Sequence, residues 1–226
     1  AMDPQQRLFL ETTWAAVEDA GYQPADLEGS RTGVFVGVAS NDYLDVVREH
    51  LPIEAHTATG WSHAIVPNRI SYLWNLRGPS EPVDTACSSS LTALHRAVRA
   101  IRSNDCDQAI VGGVNVIAAP WLYISFSKAG MLSLDGRCKT FDQSANGYVR
   151  GEGVGSMLIK PLSKALVDGD HIHGLIRGTA VNHGGIANSL TAPNASAQAD
   201  VIVRAHQEAQ IDPATLGYVE AHGTGH

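Results

Sequence analysis

Val83-Asp84-Thr85-Ala86-Cys87-Ser88-Ser89-Ser90-Leu91, running on into Thr92-Ala93-Leu94-His95-Arg96-Ala97-Val98-Arg99-Ala100-Ile101, is the stretch from which the fold can be read. Pro79 and Pro82 keep the approach to Cys87 out of the helical region, so it reads as extended. Leu91, Leu94, Val98 and Ile101 then recur at helical spacing. Cys87 is therefore expected where an extended segment turns sharply into the N-terminus of a helix. Unpaired backbone N–H groups and the positive end of the helix dipole favour a thiolate at such a place. A thiolate held there is a ready nucleophile, with its own N–H available to an oxyanion. An isolated cysteine at an element boundary is ordinarily a small buried residue and nothing more. The residues around it decide between the two readings.

Outward from this elbow, the 226 residues are 44% hydrophobic, enough for a sizeable core in one large domain or two small ones. Charged residues make up 17%, below the ~25% usual for soluble domains. That predicts surface buried against partners, or a cut through a larger domain. The net charge of −7 argues against nucleic acid or an anionic membrane as the main partner. Cys87, Cys106 and Cys138 form no disulfide scaffold, which suits a reducing cytoplasm. The chain opens with no basic-then-apolar leader, and no apolar run approaches the ~20 residues of a membrane span. The expectation is a soluble, cytoplasmic protein.

Asp3 as N-cap, Pro4 at the first helical position and Gly21 as terminator predict a helix over 4–20, with Leu10, Trp14 and Val17 on its buried face. Residues 32–38 read as a buried strand, 41–60 as a short helix and a loop, and 62–74 as a helix with Ile65, Ile70 and Leu73 in the core. Beyond the elbow helix, 108–116 is a second buried strand, whose paired Gly112 and Gly113 predict close backbone approach. Strands are expected over 153–162, 172–181 and 217–221, and a helix over 195–210. Strands alternating with helices define a layered α/β architecture.

The elbow resembles the nucleophile motif of the β-ketoacyl synthases, in particular the ketosynthase domains of modular polyketide synthases, over Asp84-Thr85-Ala86-Cys87-Ser88-Ser89-Ser90-Leu91. The likeness continues in Pro4-Gln5-Gln6-Arg7, Asn68-Arg69-Ile70-Ser71-Tyr72, Gly136-Arg137-Cys138-Lys139-Thr140-Phe141-Asp142, Gly147-Tyr148-Val149-Arg150-Gly151-Glu152-Gly153 and Glu220-Ala221-His222-Gly223-Thr224-Gly225. Several motifs in the family's order, spread over essentially the whole chain, are far more specific than any one of them. The resemblance implies the thiolase-like fold, α/β in α-β-α-β-α layers and here partial. It also implies that residues 1–226 are a fragment of a single ketosynthase domain, cut at both ends and inactive by itself.

The resemblance further implies that Cys87 is the acyl-accepting nucleophile. His222 would be the first of two active-site histidines, a neutral imidazole that hydrogen-bonds the thioester or enolate oxygen. The family's second histidine, in a later Lys-x-Asn-x-Gly-His motif, has no match here; Asn182-His183-Gly184-Gly185 precedes His222 and is out of order. Thr191, Pro193 and Asn194 resemble a loop that contacts the phosphopantetheine arm or acyl chain, though a polar surface turn would have the same composition. Lys128 to Ser133 resembles the segment lining the approach to the nucleophile. No cofactor is expected in the domain itself, since the phosphopantetheine belongs to an acyl carrier protein. No metal is expected either: His171 and His173 share a strand face without a third ligand. Cys106 and Cys138 are expected to be structural, and Arg150, Glu152 and Lys160 to form polar links.

The implied activity is acyl transfer to Cys87 followed by decarboxylative condensation with a malonyl-type extender, in a homodimeric domain served by acyl carrier proteins. The motif at 136–142 together with 191–194 resembles the branch whose modules borrow a separate acyltransferase. The alternatives are a non-elongating ketosynthase that only holds or passes on the chain, and a dimerisation remnant without activity. A degradative thiolase shares the fold but differs around the nucleophile. The Gly-x-Ser-x-Gly, Walker and dinucleotide signatures of other enzyme classes are missing.

Overall fold

The computed structural model describes residues 2–225. The elements, in chain order, are α1 (Pro4–Asp19), β1 (Thr32–Gly37), α2 (Tyr43–His50), α3 (Thr57–Trp61), α4 (Ile65–Leu73), β2 (Ser80–Val83), α5 (Ser89–Arg102), β3 (Gln108–Asn115), α6 (Trp121–Lys128), β4 (Gly153–Ile159), α7 (Leu162–Asp168) and α8 (Ala195–Ala209). Four strands form one sheet in the order β2-β1-β3-β4, with β1 parallel to β2 and β3 and β4 antiparallel to β3.

β1 and β3 run through the middle of the sheet, and their near-continuous apolar character follows from burial on both faces. Val34, Val36, Ile110 and Val114 point to one face and pack with Phe9 and Val17 of α1 and Val66 and Ile70 of α4. Phe35, Ala109 and Val111 point to the other and meet Ala93, Ala97 and Ala100 of α5. The alternation along each strand thus builds a helix–sheet–helix sandwich around two apolar clusters.

α1 begins as its cap predicts: the Asp3 carboxylate accepts from the Gln5 N–H at 2.8 Å. Burial pushes the Asp3 carboxyl above its ordinary value, against the opposing pull of the Gln5 backbone and side-chain donors. The buried face of α1 differs from expectation. Phe9, Thr13 and Val17 are buried beside Gln5 and Gln6, whereas Trp14 is 47% exposed and meets Trp74 edge-on at 6.2 Å. The glutamines can be buried because distant groups satisfy them: Gln5 Nε2 donates to the Ser40 carbonyl, and Gln6 Nε2 to that of Thr59. In α4, Val66, Ile70 and Trp74 take the core positions while Leu73 is exposed. In α5 the small Ala93, Ala97 and Ala100 face the sheet, and Leu91 stands outside.

The expected strands over 172–181 and 217–221 are not strands. A strand needs a neighbour's ladder to satisfy its backbone, and neither segment pairs with one among the described residues. Residues 177–179 are instead tied down by single bonds. Thr179 N–H donates to Glu208 at 2.7 Å, Thr179 Oγ1 lies 2.8 Å from His95 Nδ1, and Arg177 donates to the Ala209 carbonyl at 3.3 Å. Arg102 pairs with the same Glu208, so α5, α8 and this segment share one carboxylate.

Candidate active site

Cys87 sits where the sequence predicts, between β2 and α5. The close fit of α5 against the sheet depends on two glycines. A Cβ at Gly37 would meet the Ser90 nitrogen at 2.5 Å, and one at Gly113 the Ser90 Cβ at 2.9 Å. With hydrogen in those places, the first turn of α5 nests over the ends of β1 and β3. The chain reaches that turn through Ala86, which takes a left-handed φ of 56°, a conformation disfavoured for an L-residue with a Cβ.

Side chains around the elbow hold this bend. Asp84 Oδ1 accepts from the Ala86 N–H at 3.0 Å. Ser89 Oγ accepts from the Thr85 N–H at 3.0 Å and donates to the Ala86 carbonyl at 2.6 Å. Thr85 Oγ1 bonds Ser88 Oγ and Thr92 Oγ1 at 2.9 and 3.1 Å. The serines and threonines of the motif therefore brace the backbone, while Cys87, at the crest of a single 3-10 turn over 86–88, is exposed. The bend thus leaves a free, exposed thiol immediately ahead of the first turn of α5.

Tyr148 is a residue that sequence reasoning left without a role. Burial pushes its phenol above the ordinary value; the charge of Arg150 opposes that shift, and Cys87 adds to it. Tyr148 is held by backbone bonds with the segment after α6: its N–H donates to the Met131 carbonyl at 3.1 Å, and its carbonyl accepts from Ser133 at 3.0 Å. The segment at 128–133 is thus tied to the motif at 147–153 through Tyr148. The one available signal was the position of Tyr148 within the motif at 147–153.

His222 is exposed and opens a turn through Gly223 and Gly225, both at positive φ. The loop over 139–148 clasps that turn. Thr140 Oγ1 donates to the Gly223 carbonyl, and the Gly147 N–H donates to the Gly225 carbonyl at 3.2 Å. The same loop ends at Tyr148, so it links the His222 turn to the segment at 131–133. No hydrogen bond joins Cys87 to His222 among the described residues.

Asn194 lies apart from this pair and has evident local work. Its Oδ1 caps α8, accepting from Ser196 and Ala197 at 3.1 and 3.2 Å, and its Nδ2 donates to the Gly184 carbonyl at 2.7 Å. Thr191 and Pro193 are exposed beside it. The other motif residues also make links. Glu152 accepts from the Ile117 N–H at 2.7 Å. Lys160 bonds Asp168, Asp170 and Tyr22, and Cys138 Sγ accepts from the Val149 N–H. Cys106 is buried in the core, and burial pushes its thiol up. His173 pairs with Asp19 at 2.8 Å, with the His171 ring edge-on at 4.5 Å.

With this geometry established, the chain was compared with known proteins. The family model described as the beta-ketoacyl synthase N-terminal domain matches residues 1–165, and that of the C-terminal domain matches residues 173–226. Polyketide synthase PksN of Bacillus subtilis is 54% identical over 225 residues, which are 99% of this chain and 4% of that protein. The ketosynthase from module 6 of the bacillaene synthase of B. subtilis superposes with a TM-score of 0.92 at 44% identity, covering 99% of this chain and 38% of the solved one. The oxazolomycin ketosynthase domain OzmH KS7 of Streptomyces albus gives 0.92 at 47% identity, covering 99% and 39%. The fold is therefore the thiolase-like fold of the ketosynthases, of which this chain spans part. No helix among the described residues is long and apolar enough to cross a membrane.

Proposed function

Because this chain belongs to the beta-ketoacyl synthase family, we propose that it forms part of the ketosynthase domain of a polyketide synthase, with Cys87 as the residue that carries the acyl chain. The observation that carries this reading is the elbow itself, an exposed thiol on a left-handed turn braced by Asp84, Thr85 and Ser89. Cys87 Sγ attacks the acyl thioester on a carrier protein; the Sγ–acyl bond forms, and the phosphopantetheine thiol leaves with a proton. A malonyl-type thioester on a carrier protein then loses carbon dioxide, and the electron pair of the broken C–C bond passes into an enolate. The enolate carbon attacks the Cys87 thioester carbonyl, a C–C bond forms, and Cys87 leaves as thiolate. His222 donates a hydrogen bond to the enolate oxygen, and the Cys87 N–H to the oxyanion of the tetrahedral intermediate.

In this reading Thr191, Pro193 and Asn194 contact the phosphopantetheine arm or the acyl chain, and that arm is brought by the carrier. The domain has no resident cofactor, works in the cytoplasm as a homodimer, and belongs to the branch served by a separate acyltransferase. The test is peptide-mapping mass spectrometry of the full-length protein after exposure to an acyl thioester. A mass increase on the Cys87 peptide that Cys87→Ala abolishes supports the reading, and acylation that survives in Cys87→Ala overturns it. Carbon dioxide release from malonyl carrier protein by the acylated protein then separates an elongating domain from one that only holds the chain.

A further inference from the structure

His222 stands on backbone that its own motif leaves loose. Gly223 and Gly225 follow it at positive φ of 54° and 73°, and glycine is the residue freest to leave such a conformation. On the other side, residues 217–221 pair with no strand among the described residues. Restraint reaches the turn from the loop at 139–147. Thr140 Oγ1 donates to the Gly223 carbonyl, on the residue bonded directly to His222, and the Gly147 N–H donates to the Gly225 carbonyl at 3.2 Å. The loop also closes sterically on the turn: a Cβ at Gly223 would lie 2.8 Å from Thr140 Cγ2, and one at Gly225 3.1 Å from the Lys139 carbonyl oxygen.

Polar staples stiffen the loop that makes this contact. The Lys139 ammonium meets Asp135 at 2.7 Å, Asn146 Oδ1 at 3.0 Å and the Ser144 carbonyl at 3.4 Å, and Ser133 Oγ lies 2.9 Å from the same Asn146 oxygen. Phe141, next to Thr140, holds a φ of 60°, which is costly for an aromatic residue and is sustained by its surroundings. One exposed hydroxyl–carbonyl bond adds little to global stability, because water competes for both groups. What it does fix is the carbonyl after His222. The clasp joins the region that carries Cys87, residues 1–165, to the one that carries His222, residues 173–226. We propose that Thr140 is a positioning residue for His222, its hydroxyl holding the Gly223 turn so that the imidazole keeps its place for the enolate step. The proposal rests on the assignment of His222 to that step.

The experiment uses the full-length protein as wild type, T140V, T140S, H222A and T140V/H222A. It reads the rate of Cys87 acylation by an acyl N-acetylcysteamine thioester, carbon dioxide release from malonyl carrier protein by the acylated protein, and Tm. Valine keeps the methyl and removes the hydroxyl; serine does the reverse. A positioning hydroxyl predicts that T140V releases carbon dioxide about tenfold more slowly, with acylation within about twofold and Tm unchanged. T140S should stay within about threefold of wild type in both steps, and T140V should add less than about twofold to the loss in H222A. Wild-type release in T140V, equal slowing of both steps, a release loss that tracks a fall in Tm, a T140S as slow as T140V, or a full further loss on H222A would each overturn it. If wild type fails to acylate, fails to release carbon dioxide, or is matched in release by H222A, the underlying reading of Cys87 and His222 fails and this proposal fails with it. If H222A is slow and T140V is not, only the role of Thr140 is lost.

Discussion

Gly37 at the end of β1 and Ser90 in the first turn of α5 approach so closely that a Cβ on the glycine would lie 2.5 Å from the Ser90 nitrogen. The obstacle is backbone, so no rotamer change relieves it. Gly37→Ala must push α5 off the sheet, and the expected loss is about 1–3 kcal/mol or more. Denaturant unfolding measures that loss. Because the displaced turn directly follows the one that carries Cys87, acylation should slow further than the stability loss alone explains. An unfolding midpoint equal to wild type would show that the nested turn is not constrained as described.

Ala86 is strained in backbone conformation where it presents Cys87, and the two obvious replacements should diverge. A glycine in its place relieves a left-handed strain of about 1–2 kcal/mol and loses about 0.5–1 kcal/mol through its freer unfolded chain. Ala86→Gly is therefore expected to be neutral or mildly stabilising. Ala86→Val places a β-branched residue at a φ of 56° and should be strongly destabilising. Equal midpoints for the two variants in denaturant titrations would contradict the strained elbow.

The elements that could be read from sequence are those whose partners are implied by their own composition. β1 and β3 are apolar on both faces and could only be central strands. The elbow announced itself through Pro82, Cys87 and the helical spacing that follows. The face of α1 was misread because Gln5 and Gln6 are buried by the Ser40 and Thr59 carbonyls, and hydropathy carries no record of such distant acceptors. Residues 172–181 and 217–221 have strand-like composition, but composition does not supply a ladder. Tyr148 escaped assignment for a related reason: the bonds its backbone makes with Met131 and Ser133 join segments whose pairing composition does not reveal.

Lys160 gives a prediction with a defined pH window. Desolvation opposes its charge, but hydrogen bonds with Asp168, Asp170 and Tyr22 outweigh that and push the ammonium above its ordinary 10.5. The Lys160 hydrogen bond holds Asp168 below its ordinary 3.8. For Asp170 burial resists, yet the bonds from Lys160 and Tyr22 prevail and hold it below 3.8 as well. A carboxyl depressed in the folded state stabilises above its unfolded pKa, and that stability is lost as pH falls through the folded value. The lysine contributes below 10.5 and ceases to do so only as pH rises through its raised value. Lys160→Met should therefore lower Tm at neutral pH, and the gap to wild type should close as both proteins are acidified below pH 3.8. A gap that persists in acid would assign the loss to packing instead of charge.

Asn194 can be tested for its local and its substrate-facing work separately, because its two side-chain atoms do different things. Oδ1 caps α8, and Nδ2 holds the Gly184 carbonyl. Asn194→Ala removes both and should cost about 1 kcal/mol through the lost cap. Asn194→Asp keeps an acceptor at the cap, where the helix dipole favours a carboxylate, but loses the donor to Gly184. Its Tm should stay near wild type while amide hydrogen exchange speeds up around Gly184 and Gly185. If the loops at 182–185 and 191–194 also receive the phosphopantetheine arm or acyl chain, Asn194→Asp will raise KM for the acyl-carrier substrate with little change in kcat. The reason is that a loosened loop weakens binding alike in the ground and transition states. Faster exchange with an unchanged KM would leave Asn194 as a helix cap and remove it from the substrate path.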